Sequence, residues 1–375
     1  MPANFNSQVQ VQLQVGFNSS GPNDTGFTWT DISNRMREFQ VSRGREFELD
    51  QVSPGTALFV LDNNNRDFDP NSTGGAHSPN VDVMKPVRLQ AIHGGTTFEV
   101  FRGFVESWNQ QWPSVGHDAV TVLGAVDGFK VMAFWEVAST SPQELSGTRV
   151  GRLLDNISWT TQLRTLDAGD VTCAAFTPSC AYALSELQRV QETEEGLFFM
   201  GTDGKATFHD NSHRTASTSI ATFTDTGGGL PYTEPVQLNY DDAQIWNDVT
   251  VVGIGLTPQA ADSTASVDLY GRRKLRRFDT LHHNATSALD TAQAVRDRFK
   301  DPVTRVPSIT LDPLGSTSLW PHVLGRELSD RVTINRATKS TTTGVYSADH
   351  HIEGISHTGS IEQDWTVTWL LSPST

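Results

Sequence analysis

Residues 61–70, LDNNNRDFDP, crowd three aspartates and three asparagines into ten positions, and oxygen-rich runs of this kind can chelate a hard cation. A helix–loop–helix calcium loop puts oxygen ligands at positions 1, 3 and 5, glycine at 6 and a bidentate glutamate at 12. Counted from Asp62, the later positions fall on Asn64, Arg66, Asp67 and Thr73. A guanidinium stands where a ligand belongs, and both the glycine and the glutamate are missing. The segment reads as a turn instead, because Asn and Asp bond their own backbone and tolerate positive φ.

Histidine is the next candidate ligand. His282 with His283, His350 and His351 with His357, and His209-Asp210 with His213 each gather imidazoles. Neighbours on a strand face opposite ways, so each His-His pair points at most one ring inward. His209 and His213 stand four apart, but in a strand-to-loop segment where helical register does not apply. A solvated or singly bonded histidine is expected at each. No Gly-x-Ser-x-Gly elbow, His-Glu-x-x-His, Walker loop or dinucleotide fingerprint occurs. Glu192, Glu194 and Glu195, and Asp241 with Asp242, offer carboxylate pairs, yet nothing marks one as a raised-pKa acid. A charged, solvated face is the expectation. The sequence therefore assigns no catalytic residue, metal ligand or cofactor, and reads as a non-enzyme.

Cys173 and Cys180 are the only cysteines, too few for a structural zinc site, and a chain of 375 residues needs no disulfide. Free, partly buried thiols in a reducing cytoplasm are expected. One basic run stands out, GRRKLRR at 271–277. It is short and lacks the interleaved aromatics of a nucleic-acid patch. Arg272, Arg273, Arg276 and Arg277 are expected to meet acidic surfaces of neighbouring subunits, where charge pairing sets register.

The formal net charge of −15, from 43 acidic and 28 basic residues, argues against a protein that grips phosphates with Lys and Arg. It suits a surface that DNA slides past, and equally plain solubility. Apolar residues make up 37%, and no run approaches the ~18 of a spanning helix. No membrane insertion is expected. The opening MPANFNSQVQVQ lacks the basic start and apolar segment of a secretory signal.

The elements that must position these residues are mostly strands. VQVQLQV alternates strictly, and further runs at 38–43, 55–61, 86–92, 98–108 and 119–123 are separated by Gly, Pro, Asn and Asp clusters. Such spacing suggests a sandwich or small barrel. Residues 145–158 and 182–195 carry helical periodicity, with Ser146 as candidate N-cap and Gly196 as C′ residue. A hairpin follows around Asp203-Gly204. Residues 213–232, with Gly227-Gly228-Gly229, read as a loop. A second β region includes 247–255, 263–271, 330–336, 350–357 and 364–371, interrupted by one helix at 286–300 with Leu289, Ala292, Val295 and Phe299 on one face. KPVRLQAI, FRGFVESW and DAVTVLGAV in the first β region are echoed by SDRVTINR, HIEGISHT and DWTVTWLL in the second. The expected fold is mainly β with an α+β insert: a first β-barrel domain at 1–135, the helix-hairpin insert at 136–235, and a second barrel at 236–375.

These residues together resemble the bacteriophage tail hub, or baseplate hub, family of siphophage and myophage tail tips. VSRGREFELDQVSPGTALFVLDNNNRDFDP (41–70) is similar to that family's signature in phages of actinobacteria, siphophage minor tail proteins. RVGRLLDNI, ALSELQRVQETEEGLFFMGTDGKATFHD, LYGRRKLRR and DPVTRVPSITLD follow in the family's order. LDNNNRDFDP departs from the commoner Leu-Asp-Asn-Arg-Asp-Gly-Arg-Phe-Asp-Pro. With that Gly missing, Asn64 and Asn65 are expected to supply positive φ. The resemblance implies a homotrimer whose six barrel domains form a pseudo-sixfold ring at the virion's tail tip, assembled in the host cytoplasm. It implies a tail tube or distal tail protein above, a tape measure protein, fibre or spike proteins below, and genomic DNA passing without specific binding. Two rivals remain: a carbohydrate-binding adhesin using some of the nine tryptophans, and a glycan hydrolase. Trp108, Trp365 and Trp369 lie in expected strands, where core packing is the usual fate.

Overall fold

The computed structural model describes residues 3–4, 8–114, 116–225, 228–233, 235–337, 346–360 and 364–374. Gly227 of the glycine run, and most of the opening MPANFNS, lie outside them. Strand β1 (Val9–Val15) forms as its alternation dictates: Val9, Val11, Leu13 and Val15 are buried, and the glutamines between them are not. After β2 (Met36–Gly44) and β3 (Ser53–Asp62) come β4 (Pro86–His93), β5 (Thr96–Ser114) and β6 (Asp118–Val126), an antiparallel meander. Strand β1 adds to β4, β3 adds to β6, and β2 adds to β3.

The middle segment folds as helices α1 (Ser146–Asn156) and α2 (Ala183–Glu194), then the hairpin β7 (Leu197–Met200) and β8 (Ala206–His209). Gly204 takes φ 80° at the hairpin turn, the left-handed conformation that favours glycine. Neither expected helix boundary residue acts as such. Ser146 lies inside α1, its hydroxyl donating to Glu194 at 2.6 Å, and Glu195 rather than Gly196 adopts the left-handed φ of 53° after α2. The segment expected to be a loop holds the end of α3 (Asn211–Thr215) and strand β9 (Thr222–Thr224).

Strands β10 (Asp248–Gly253), β11 (Gln259–Asp262) and β12 (Lys274–Thr280) make a separate three-stranded sheet. Between β11 and β12 lies helix α4 (Thr264–Tyr270), where a strand was expected. Alternation misled there because the helix buries only Ser266, pinned between Asn247 and the Lys300 carbonyl, and leaves Leu269 in solvent. Helix α5 (Ala285–Phe299) starts at Asn284, whose side chain accepts from Ser287 N at 2.8 Å. Its face of Ala288, Ala292, Val295 and Phe299 covers Val249, Val251 and Ala261 of this sheet. Leu289, expected on that face, is only half-buried.

The chain ends through β13 (Ser308–Leu311), α6 (Trp320–Gly325), β14 (Arg331–Arg336), β15 (Tyr346–Ser360) and β16 (Asp364–Pro373). Strands β14, β15 and β16 are again an antiparallel meander, and β9 joins β14 in parallel. The expectation of two closed barrels is corrected here. Both meanders belong to one mainly antiparallel sheet of thirteen strands among the described residues, and no sheet closes. The physical reason is the pairing of β2 with β15, Glu38 to Gly44 against Ser360 to Gly354. Each strand gives the other the edge that a barrel would need to close on itself. The result is a mixed α/β fold built on one large sheet, with helices packed around it.

Candidate functional site

The Arg43-Gly44-Arg45 signature falls on this junction. Strand β15 pairs first with β14 and then, beyond an irregularity between Ile352 and Gly354, with β2. Glu353 is the residue at that irregularity, fully buried. Arg45 Nε donates to its Oε2 at 2.6 Å, and Arg214 on α3 donates Nη2 to its Oε1 at 2.5 Å. Ser372 on β16 adds its hydroxyl. Arg214 also reaches Glu48 at 3.2 Å, and Glu48 pairs in turn with Arg298 on α5. Burial alone would raise the Glu353 carboxyl, but Arg214 and Arg45 outweigh it and hold the group well below the usual range. On the neighbouring strand position Arg43 clamps Glu327 at 2.7 Å and donates to the Met200 carbonyl at 3.0 Å. Both Glu353 oxygens are taken by donors. The chemistry of this seam is to hold β2, α3, α5, β15 and β16 together.

The histidines are structural too. His350 Nδ1 lies 3.1 Å from the Ala348 carbonyl, and its Nε2 accepts from Val306 N at 3.3 Å. His351 reaches the Ser329 carbonyl at 3.1 Å, and Trp365 Nε1 donates to His357 Nδ1 at 3.3 Å. Burial pushes His350 down to about 4 and His351 and His357 to about 3. The expectation that a His-His pair buries one ring at most fails here, because both faces of β15 are covered and both rings are buried. His282, also buried and pushed down to about 4, bonds Thr280 and Thr291, whereas His283 meets the Thr172 carbonyl at 3.2 Å. His209 and His213 stack at 3.5 Å, and His213 pairs with Asp167 at 3.0 Å. Among the described residues, no group of three or more His, Cys, Asp or Glu is placed to hold a metal ion.

Residues 61–70 form a turn. Asn63, buried, accepts from Phe68 N at 2.9 Å and Asn64 accepts from Ala119 N at 2.9 Å. The positive φ, 60°, sits at Arg66 rather than at Asn64 or Asn65. Its aspartates are engaged by arginines: Asp67 by Arg35 at 2.9 Å, Asp69 by Arg66 at 2.6 Å and Asp62 by Arg37 at 3.9 Å.

Three of the four arginines in the basic run pair inside the chain. Arg272 meets Asp248, Arg273 meets Asp242, and Arg277 meets Glu192 at 2.9 Å with Glu195 at 3.5 Å. Arg276 is exposed, and among the described residues no ion pair includes it. It shares the outer face of β12 with Lys274 and Phe278, the last 56% exposed. Of the carboxylates expected to be solvated, Glu194 is instead buried, accepting from Asp170 N at 3.0 Å and Val171 N at 2.9 Å. Asp127 went unnoticed in the sequence: buried, and pushed up to about 7 by that burial, it accepts from Gly55 N at 2.6 Å and Phe129 N at 2.9 Å. Nothing local marks it. Cys173 is buried and Cys180 exposed, both as free thiols. Trp108, Trp365 and Trp369 are all buried core residues.

No protein-family model matches the chain. The T-cell surface glycoprotein CD1b of Homo sapiens is 34% identical over 84 residues, a stretch that is 22% of this chain and 25% of that protein. Solved structures align over nearly the whole length. The tail protein from Neisseria meningitidis MC58 superposes with TM-score 0.62 at 11% identity, covering 97% of this chain and 96% of that one. The 43 kDa tail protein of prophage MuSo2 from Shewanella oneidensis gives 0.57 at 10% identity, covering 97% and 98%. Prophage tail protein gp18 from Listeria monocytogenes EGD-e gives 0.51 at 9%, covering 98% and 96%. From end to end, the chain has the fold of these tail proteins.

Proposed function

We propose that this chain is a structural protein of a phage tail, the hub of the tail tip, where copies form a ring that joins the tail tube to the distal tip. The observation that carries this reading is end-to-end likeness to a tail protein, 97% of one chain on 96% of the other. The charge seam supports a scaffold: its most buried ionisable groups bond each other across distant elements. Three copies make the ring, with a tail tube or distal tail protein above, fibre or spike proteins below, and the tape measure protein and genome passing through. The net charge of −15 suits that passage, since a cationic channel would hold the duplex back. Arg276, Lys274 and Phe278, on the outer face of an edge strand, supply a subunit contact. Within this reading, the hub is of the actinobacterial siphophage minor tail kind, whose signature residues 41–70 resemble.

The test is the copy number in assembled tails, by quantitative mass spectrometry, with electron microscopy of the tip. A multiple of three and a ring with a central hole are expected. Any other stoichiometry, or a location on the capsid or along the tube, overturns the hub.

A further inference from the structure

Between residues 22–29, the sheet and residues 158–163 lies a cleft of about 360 Å³, at the small end of the ~300–1,000 Å³ usual for small-molecule sites. Its walls are aromatic. Phe27 meets Trp29 edge to face at 4.8 Å, and buried Phe104 and Trp159 line the cleft beside them. One cation enters it. Arg102 on β5 holds its guanidinium 5.6 Å from the Trp29 ring, which Arg88 also covers from outside the cleft lining at 4.5 Å, and donates Nη1 to the Asp203 carbonyl at 3.3 Å. Among the described residues no carboxylate forms an ion pair with Arg102. Of the nearby carboxylates, Glu99 meets Gln90 at 2.6 Å and Arg88 at 3.8 Å through Oε1, while its buried Oε2 has no hydrogen-bond partner among the described residues. Asp203 pairs with Lys205 at 2.6 Å. Burial lowers the Arg102 guanidinium by more than Glu99 and Asp203 raise it.

Two backbone features keep this space open. Gly204, at φ 80°, lies where a Cβ would come within 2.8 Å of the Arg102 side chain, so any larger residue would displace the guanidinium stem. Ser158, on the rim, takes φ 56° just past the end of α1, where Trp159 N donates to the Leu154 carbonyl at 2.9 Å, so the helix end fixes this side of the cleft. The rim itself is polar, with Asn23, Thr25, Thr160 and Gln162. Among the described residues the one carboxylate lining the cleft, Asp24, accepts from Ser20 N at 2.8 Å and Gly26 N at 2.7 Å.

We propose that this cleft binds one acidic sugar residue, its ring on the aromatic wall and its carboxylate on Arg102. A bare anion would leave the aromatic wall uncovered, and a neutral sugar would leave the guanidinium unmatched. A pyranose carboxylate satisfies both, and the hydroxyls meet the polar rim. In a chain of net charge −15, a half-buried arginine lacking a carboxylate partner is a selective feature. The site is independent of the ring and would serve recognition of a surface glycan.

Titration of the full chain with glucuronic acid, glucose and acetate, followed by tryptophan fluorescence and calorimetry, tests this. Saturable binding of glucuronic acid is expected, with glucose and acetate about ten-fold weaker or worse. Arg102→Gln should bring glucuronic acid to the level of glucose. Thr25→Trp, placed on the exposed rim so that folding is undisturbed, should block binding with an unchanged melting temperature. Equal binding of acetate and glucuronic acid, equal binding of glucose, no saturable binding, or an unaffected Thr25→Trp variant each overturns the proposal.

Discussion

Gly44 and Glu353 meet backbone to backbone: Gly44 takes φ 106°, and a Cβ on it would overlap the Glu353 carbonyl oxygen. That same oxygen accepts from Arg45 N at 2.9 Å, so the strands cannot separate locally without losing the bond. Gly44→Ala combines a disfavoured φ with a backbone clash, and should cost about 3 kcal/mol or more. Urea denaturation reads this as a lower midpoint at unchanged slope.

Glu353→Gln tests the charge seam. It leaves Arg45 buried without its anion and Arg214 with only Glu48, which Arg298 shares, and removing one partner of a buried ion pair costs about 3–5 kcal/mol. The same denaturation experiment checks it. A cost below about 1 kcal/mol would mean that the seam is solvated.

Acid should destabilise the protein well above the carboxylate range. His282 and His350 are held down to about 4, and His351 and His357 to about 3, against an ordinary value of 6.5. Between those values the unfolded chain binds more protons than the folded one. The stabilisation is complete above pH 6.5 and is lost as pH falls through that window. Glu353, held low, adds its loss at the acid end. Asp127, raised to about 7, acts the other way, as do Glu99, Glu186, Glu195 and Asp330, raised by burial. His209, also held down to about 4, and His77 and His322, also lowered, add to the imidazoles and keep them in the majority. Calorimetry should give a melting temperature several degrees lower at pH 5 than at pH 7.5, roughly what a few kcal/mol produces in a chain of this size.

Two neighbouring arginines should behave differently. Arg277→Ala removes a half-buried partner of Glu192 and Glu195 and should cost about 1–3 kcal/mol. Arg276→Glu should leave the melting temperature of the isolated chain within about 1 °C, since surface changes are usually within ~0.5 kcal/mol. In assembled tails, the same change should lower incorporation of the chain, measured by mass spectrometry against the tube protein.

Chelation with EDTA should leave the melting temperature unchanged. A bound ion would stabilise the fold by mass action, but Asp62, Asp67 and Asp69 already face Arg37, Arg35 and Arg66.

Strand faces were readable in the sequence because alternation is local: β1, the β7–β8 hairpin and the buried Trp365 and Trp369 lie as expected. Strand edges were not. Alternation says which way a side chain points, never which strand its backbone will bond, and the decisive contact joins Arg45 to Glu353, 308 residues apart. Backbone details failed too. Arg66 and Glu195 take the positive φ expected of Asn64 or Asn65 and of Gly196, each one residue away from the residue type that favours it. Of the candidate contact residues, the basic run was visible as a run. That Arg276 is the one of the four outside the ion pairs of the described residues depends on strand register and on acidic partners elsewhere in the chain, Asp248, Asp242, Glu192 and Glu195.

The distance between β2 and β15 also has a meaning in time. At a synthesis rate of about 5–20 residues per second, the 308 residues separating Arg45 from Glu353 take roughly 15–60 s to emerge. Throughout that interval β2 presents an open edge, and Arg45 lacks its buried anion. The cations on and beside this strand discourage stray pairing meanwhile. A broken or unfinished chain keeps its edge open and cannot present the finished surface. The last strands thus complete the sheet that β2 leaves open.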